Sequence, residues 1–230
     1  MYDEPSRVQK AIRMIKTLED YFGKNNLSKL SLLDIGSSTG IITHFLAPYF
    51  KKVVGIDIDE GAIEHAKKTF QQGNLTFEQG DSMKLNFPAN SFDIVICAQI
   101  YEHVPDPQKL FQEIYRVLKP QGVCFLAAVN KFWPIEPHYN LPFLSFLPKP
   151  LANYYIKLTG KAESYYETLL SYWQLKDLTK DFVCIEYTEK ILKNPKKFGF
   201  NIPALGVFSY LGKFFAPTIF WVLVKPGSKK

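Results

Sequence analysis

The chain has 230 residues, of which 47% are hydrophobic and 22% are charged, and this composition excludes wholesale disorder and fits one α/β domain. The 28 lysine and arginine residues outnumber the 22 aspartate and glutamate residues, which permits a nucleic acid, an anionic cofactor or a membrane surface as partner without selecting one. The three cysteines lie far apart in apolar runs, so we predict buried free thiols in a reducing compartment and no metal site. The first ten residues lack the apolar segment of a signal peptide, and a cytoplasmic protein is expected.

A first helix is predicted over residues 8–22, where apolar side chains recur on one face until Gly23. Strands and helices then alternate up to residue 130. This alternation predicts a doubly wound, mostly parallel, Rossmann-like sheet, whose ligands bind beyond the carboxyl ends of its strands. The predicted strands are 30–35, 52–58, 75–79, 92–98 and 123–129, and the helices between them begin near Gly40, Asp59 and Asp106, the last of them ending at Pro120.

The alternation stops after residue 130. Residues 131–165 are rich in proline and aromatic residues and have no clean period, and beyond them we predict a helix over 169–178 and strands over 183–192 and 218–224. Residues 204–224 carry one charge, Lys213, and are long enough to span a bilayer. Two glycines and Pro217 interrupt this run, and its end is β-branched and aromatic, so we favour a buried strand over a membrane span.

A glycine-rich turn, LLDIGSSTG, follows the first predicted strand. Its small residues let the backbone approach a ligand, and the helix that follows offers unpaired N–H groups. Asp57 stands at the tip of the second strand, 21 residues after Gly36, where a carboxylate can accept both hydroxyls of a ribose. Together the two features predict a nucleotide site, whereas the glycine turn alone would indicate no more than a tight strand–helix connection.

Two nucleotide classes can be weighed at this turn. The dinucleotide fingerprint requires glycine at its first, third and sixth positions, but these are Gly36, Ser38 and Ile41 here, which disfavours an NAD(P)-dependent oxidoreductase. The turn fits better to the pattern Asp/Glu-x-Gly-x-Gly-x-Gly, in which Ser38 replaces the middle glycine. If that position needs a positive φ, serine costs about 1 kcal/mol there.

Residues 30–130 resemble the methyltransferase type 11 family of class I S-adenosylmethionine (SAM) methyltransferases. The resemblance rests on segments in the order and spacing of the family: LLDIGSSTG, VVGIDID, and FEQGDSMKLNFPANSFDIVICAQIYEHVPDPQKLFQEIYRVLKPQGVCFLAAVN. It implies a seven-stranded, mostly parallel sheet with an antiparallel last strand, SAM as cofactor and S-adenosylhomocysteine as product.

The resemblance also implies which residues hold the cofactor. Asp57 matches the ribose-binding acid, Ile58 the apolar residue beside the adenine, and Asp81 the acid that receives the adenine amino group. Met83 could pack on the ring, and Asp34 would orient the turn and the methionine amino end. The expected cofactor residues are Asp34, Gly36, Ser37, Ser38, Gly40, Asp57, Ile58, Asp81, Ser82, Met83 and Ala98.

Catalytic candidates follow the fourth strand and lie in the insertion after the fifth. The segment from Tyr101 to Pro107 resembles ubiquinone-pathway O-methyltransferases and would place His103 near the methyl group, as a general base or as a residue that only builds the loop. In the family this insertion encodes the choice of acceptor, and here it sets His138 and Tyr139 among aromatic residues. His103, His138 and Tyr139 are therefore the catalytic candidates.

The insertion, residues 131–165, is expected to be an aromatic lid that contains the acceptor site. Apolar surroundings with a few polar groups suit a small or lipid-like acceptor, but they also suit a lid that only packs on the domain, or one that contacts a membrane peripherally. Nucleic acid is disfavoured because basic residues are scattered and the sequence after the fourth strand lacks an Asn/Asp-Pro-Pro-Tyr motif.

The resulting prediction is a single SAM-dependent methyltransferase domain over residues 1–230. Its parts are an N-terminal helix (1–29), a SAM-binding core (30–130), an acceptor lid (131–165) and the C-terminal part of the sheet (166–230). Oxygen, carbon and nitrogen nucleophiles all stay open. A SAM-binding scaffold without turnover is the alternative from another functional class, and the oligomeric state is unknown from the sequence.

Overall fold

A computed structural model describes residues 4–227 of the chain. Its strands are β1 (Ser31–Ile35), β2 (Lys52–Asp57), β3 (Leu75–Gln79), β4 (Phe92–Ala98), β5 (Leu118–Val129), β6 (Ile135–Glu136), β7 (Leu141–Pro142), β8 (Val183–Glu186) and β9 (Thr218–Val224). Seven of them form one sheet in the order β3-β2-β1-β4-β5-β9-β8, while β6 and β7 form a separate hairpin. β1 to β5 run parallel, and β9 is antiparallel to both of its neighbours. The predicted seven-stranded sheet with a reversed last strand is confirmed.

Helices cover both faces of this sheet. They are α1 (Glu4–Phe22), α2 (Ile41–Leu46), α3 (Glu60–Thr69), α4 (Pro107–Val117), α5 (Lys149–Leu158), α6 (Tyr172–Leu178), α7 (Thr188–Lys193) and α8 (Ser209–Phe215). α1, α2, α3 and α7 bury their apolar residues on the face that carries Leu32 and Phe125, and α4 and α6 do so on the face that carries Leu33 and Leu126. Because successive strand residues point to opposite faces, a sheet covered on both sides needs strands that are apolar throughout.

Two predictions of local structure are wrong. The predicted strand 183–192 ends at Glu186, and α7 follows, because Tyr187 and Ile191 are one helical turn apart and both turn into the core. The predicted helix ending at Pro120 stops earlier, at Val117, and β5 begins immediately with Leu118 in register with Phe92.

The end of the apolar run 204–224 is a strand, β9, as predicted, and α8 precedes it. β9 lies between β5 and β8, and its Trp221 and Val222 are fully buried. Within residues 4–227 no helix is both long enough and apolar enough to cross a membrane.

The insertion after β5 has a small core of its own. It consists of the β6–β7 hairpin, a 3-10 turn at Leu144–Phe146 and α5. Ser145 Oγ donates a hydrogen bond of 2.8 Å to the carbonyl of Lys131, which fixes the insertion to the end of β5. Its core residues are Leu141, Leu144, Ala152, Ile156 and Tyr165.

Candidate active site

A cleft of about 330 Å³ opens beyond the carboxyl ends of β1, β2 and β4. This is the edge at which ligands of parallel α/β sheets bind. The volume lies within the range of small-molecule sites. The cleft is lined by Ile35, Gly36, Ile56, Asp57, Ile58, Gly80, Asp81, Ser82, Met83, Ile100, His103, Val104 and Pro105.

The glycine-rich turn forms one wall of the cleft and has an unusual backbone. Gly36, Ser38 and Gly40 have positive φ angles of 75°, 50° and 83°. A Cβ atom on Gly36 would overlap the side chain of Ile100, and one on Gly40 would lie 2.6 Å from a ring carbon of Phe77. Both glycines are therefore required by close packing as well as by φ, whereas Ser38 adopts the left-handed conformation at a cost.

Asp57 connects this turn to the tip of β2. Its Oδ2 accepts a hydrogen bond of 2.7 Å from the backbone N–H of Ser38, and its Oδ1 accepts one of 3.0 Å from the N–H of Asp59. A carboxylate has about four acceptor positions, so these two bonds leave capacity for the hydroxyls of a ribose. The same two bonds fix the carboxylate at the mouth of the cleft.

The far end of the cleft is apolar and has one acid. Ile58 is 69% exposed although its neighbours in β2 are buried, so an isoleucine at this point offers a flat apolar surface to a ligand. Asp81 Oδ1 accepts a hydrogen bond of 2.8 Å from the N–H of Met83, which holds the loop after β3 opposite Ile58 in the cleft lining. An apolar surface, an acid and a ribose-binding carboxylate are the groups that an adenosine requires, so the residues present fit the adenosine part of SAM.

Asp34 lies beneath the turn and outside the cleft lining. It is 4% exposed, and its Oδ2 accepts a hydrogen bond of 2.6 Å from Thr43 Oγ1. Burial raises the pKa of Asp34 to about 7, against the opposing effect of the Thr43 hydrogen bond. A cationic group close to the turn would favour the charged form of this carboxylate.

A second, smaller cavity of about 90 Å³ lies on the α1 face of the same strand ends, where Ala98 and Gln99 follow β4. Lys10 Nζ donates to Gln99 Oε1 at 2.5 Å, and Arg13 stacks over Phe200 at 4.2 Å from the ring centre. Arg13 Nε is buried and has no hydrogen-bond partner among residues 4–227. This cavity therefore presents two cations to an anionic group that enters beside Ala98.

A cluster of carboxylates and histidines, which we call the carboxylate–histidine cluster, lies where the β6–β7 hairpin, called the lid hairpin after its predicted role, meets the segment after β4. The rings of His103 and His138 are 4.9 Å apart and perpendicular. Glu136 is fully buried; its Oε1 accepts from His138 Nδ1 at 2.6 Å, and its Oε2 accepts from the N–H of Tyr139 at 2.8 Å. The members of the cluster are Glu102, His103, Glu136, His138, Tyr139 and Glu167.

The pKa values of the two histidines in the cluster are shifted in opposite directions. Burial lowers the pKa of His138, but the hydrogen bond to Glu136 and the charges of the neighbouring carboxylates outweigh it, and the net pKa is raised. Burial and the nearby His138 lower the pKa of His103. Burial also raises the pKa of Glu102 to about 7. Compared with an ordinary histidine, His138 therefore favours its protonated form more and His103 favours its neutral form more.

The structure brings most of the predicted site residues together. The cleft lining includes Gly36, Asp57, Ile58, Asp81, Ser82, Met83 and His103, and Ala98 lines the adjoining small cavity. Ser37 is 3% exposed, and its side chain points toward Gly55 inside the fold. His138 and Tyr139 come from the lid hairpin and join the cleft through His103.

Sequence reasoning missed Glu102, Glu167, Lys10 and Arg13. Glu102 directly precedes His103, so its position was a signal that could have been used. The other three come from the loop before α6 and from α1, and only the tertiary structure places them beside the strand ends.

Comparison with protein families identifies the core. Residues 33–126 match the family model described as "Methyltransferase domain". A ubiquinone biosynthesis O-methyltransferase of Coxiella burnetii is 34% identical over 102 residues, which cover 44% of this chain and 44% of that protein. One of Actinobacillus pleuropneumoniae is 30% identical over 138 residues, covering 56% and 59%. The chain thus spans about half the length of the curated relatives it matches.

Solved structures share the fold along nearly the whole chain. An S-adenosylmethionine-dependent methyltransferase from Mesorhizobium loti superposes with a TM-score of 0.59 at 15% identity, over 90% of this chain and 95% of that one. The CurJ carbon methyltransferase gives a TM-score of 0.63 at 14% identity, over 94% of this chain and 54% of that one. Residues 33–126 therefore match a methyltransferase domain, and the chain shares the strand order and the fold of these solved methyltransferases.

Proposed function

We propose that the chain transfers the methyl group of SAM to a hydroxyl of a small or lipid-like acceptor. The observation that carries this proposal is the contact of His103 in the cofactor cleft with His138 of the lid, at 4.9 Å between ring centres. An acceptor hydroxyl must lose its proton as it takes the methyl group, and this contact puts proton-accepting groups at the rim of the cleft. The names of the relatives from Coxiella and Actinobacillus, both O-methyltransferases, support oxygen as the nucleophile.

In this proposal SAM supplies an activated methyl on a sulfonium, and the protein positions it. Asp57 accepts the ribose hydroxyls, and Ile58 and Met83 hold the adenine between them. Lys10 and Arg13 receive the methionine carboxylate through the small cavity next to Ala98, and Asp34 lies under the turn that carries the methionine end. This assignment is supported by the cleft that Asp57, Ile58 and Met83 line and by the cavity that Lys10, Arg13 and Ala98 line.

Tyr139 is assigned to acceptor positioning. Its hydroxyl donates to Glu167 Oε1 at 3.3 Å, and burial and that carboxylate raise the pKa of Tyr139 to about 12. The phenol therefore keeps its proton at neutral pH and can orient an oxygen without competing for its proton.

The exposed surface of the lid supports a lipid-like acceptor and peripheral contact with a membrane. Large apolar side chains are more than half exposed in two separate parts of the sequence after β5, the lid and α8 with the turn before it. Such side chains can enter the interface of a bilayer without crossing it. They are Phe143, Leu151, Tyr154, Leu158, Val207, Phe208, Tyr210, Leu211 and Phe215.

We further propose that residues 1–230 act as one domain with a lid at 131–165. Residues 1–3 and 228–230 of this domain lie outside the part of the chain that the structure describes. A β9 strand paired between β5 and β8 ties the C-terminal part to the SAM-binding core and supports this division.

Mass spectrometry of methylated products tests the function. The protein is incubated with methyl-deuterated SAM and with separated lipid, small-molecule and nucleic-acid fractions of a bacterial extract. We expect deuterated methyl in the lipid or small-molecule fraction, on oxygen. Label in none of the fractions, with intact binding of SAM, would favour the non-catalytic scaffold, and label in nucleic acid would overturn the acceptor class.

A further inference from the structure

Three metal-ligating side chains converge in the carboxylate–histidine cluster. One ligand atom from each of Glu102, His103 and His138 lies within 4.8 Å of the others. Two of them follow β4, and the third comes from the turn of the lid hairpin, 35 residues later along the chain. Rotation of these flexible side chains can close such a separation to metal bonds of about 2.0–2.2 Å.

Glu102 is the buried acid among these three side chains. Glu102 is only 2% exposed, and neither of its carboxylate oxygens has a hydrogen-bond partner among residues 4–227. A buried carboxylate without a partner is strongly unfavourable unless a cation or a proton compensates it. Lys10 lies close enough to Glu102 to interact with its charge, but Lys10 Nζ bonds to Gln99 instead.

The surroundings of His138 match the outer shell of a metal site. The carboxylate of Glu136 can only accept a hydrogen bond, so Nδ1 of His138 carries the hydrogen of the 2.6 Å contact and Nε2 is left as a ligand. A buried carboxylate that orients an imidazole in this way is the usual partner of a metal-ligating histidine. Glu167 adds a further buried oxygen, Oε2, which also lacks a partner within residues 4–227.

We propose that Glu102, His103 and His138 bind one divalent transition-metal cation, with Glu136 orienting His138. Two imidazoles and one carboxylate suit Zn²⁺, Co²⁺, Fe²⁺ or Mn²⁺ better than Mg²⁺ or Ca²⁺, which prefer all-oxygen sites. The prediction of no metal site considered only the spacing of the cysteines, and His138 lies 35 residues beyond the adjacent pair Glu102 and His103.

The site also suggests what the cation does, and this part rests on the proposed function. Three protein ligands leave a coordination position open toward the cleft, which His103 also lines. With the cation bound, His103 and His138 act as ligands in place of proton acceptors, and an acceptor hydroxyl on the cation loses its proton to water more readily because the cation lowers its pKa. The oxygen then forms a bond to the methyl carbon, the carbon–sulfur bond breaks, and its electron pair stays on sulfur in S-adenosylhomocysteine.

Calorimetric titration with Zn²⁺ tests the site without any acceptor. The whole chain, stripped with a chelator and dialysed, is titrated alongside His138→Ala, His103→Ala and the control variant His65→Ala, which changes a histidine on α3 outside the cluster. We expect one Zn²⁺ per chain for the unchanged protein and for His65→Ala, and at least tenfold weaker binding for each cluster variant. Cobalt substitution should give a visible ligand-field spectrum that His138→Ala loses.

Equal Zn²⁺ affinity in all four proteins, or no stoichiometric binding in any of them, would overturn the proposal. Glu102→Gln gives an independent check, because it removes a ligand charge while keeping the shape of the buried side chain. S-adenosylhomocysteine is titrated into the same samples. Retained binding of this product with no Zn²⁺ binding would refute the metal site alone, whereas loss of binding of the product would refute the proposed function.

Discussion

Asp57→Ala should weaken binding of S-adenosylhomocysteine by about 1–3 kcal/mol, or roughly 5- to 150-fold in Kd, the scale of a lost hydrogen bond to a charged group. In the structure the Asp57 carboxylate accepts hydrogen bonds of 2.7 Å from Ser38 and 3.0 Å from Asp59. The substitution removes the acceptor for the ribose and also releases the turn that carries the methionine end. Because Asp57 is only half-buried, the upper part of the range requires that the bound ribose excludes water from it.

Asp59→Ala is the matched control, and isothermal titration calorimetry is the assay. Asp59 lies two residues further along the same loop, and its carboxylate caps α3 by accepting from the N–H of Ala62 at 3.1 Å. Its loss should cost about 1 kcal/mol of folding stability. The Asp59→Ala variant keeps the backbone N–H that donates to Asp57, so its affinity for S-adenosylhomocysteine should stay within twofold of the unchanged protein. Unchanged affinity in Asp57→Ala, or an equal loss in both variants, would refute the role of Asp57.

Four further predictions concern the turn, the lid and the sheet. The free energy of unfolding in urea should be about 1 kcal/mol higher for Ser38→Gly than for Ser38→Ala, because φ is 50° at this position. Equal free energies of unfolding would argue against backbone strain at Ser38. Because the folded-state pKa of Asp34 is raised to about 7, its contribution to the free energy of unfolding should fall by up to about 4 kcal/mol as pH rises from 4 to 7. Urea titrations at several pH values should show that Asp34→Asn lacks this part of the decline. Tyr139→Phe should slow transfer of labelled methyl while leaving the Kd for S-adenosylhomocysteine unchanged; a parallel loss of both would place Tyr139 in the cofactor site. Ending the chain after Ala216 removes β9 with the fully buried Trp221 and should abolish cooperative thermal unfolding followed by circular dichroism; a sharp transition would contradict the central place of this strand.

The sequence predicts the sheet because its central strands β2 and β4 are buried on both faces and are therefore mostly apolar, whereas β3 at the edge alternates buried and exposed residues. β3 and β4 are predicted with the bounds that the structure has, 75–79 and 92–98. The strand predicted over 183–192 fails because an apolar run can be strand or helix, and tertiary burial of Tyr187 and Ile191 decides for α7.

The cofactor side of the candidate site follows from local sequence, whereas the acceptor side does not. Asp57 and Gly36 stand at strand ends, so the alternation of strands and helices alone brings them together. Glu167 contacts Tyr139, which is 28 residues earlier in the chain, and no periodic pattern predicts a contact that depends on how a hairpin and a loop fold over each other. Glu102 could have been named from its place before His103, but its burial is a property of the tertiary structure.

Titration of the whole chain with SAM and, separately, with NADH tests the central claim most directly, because the two cofactors compete for the same strand ends in this class of fold. We expect SAM and S-adenosylhomocysteine to bind with one site per chain, and NADH to give no heat beyond dilution. Binding of NADH without binding of SAM would contradict the assignment of the cleft and, with it, the proposed methyl transfer.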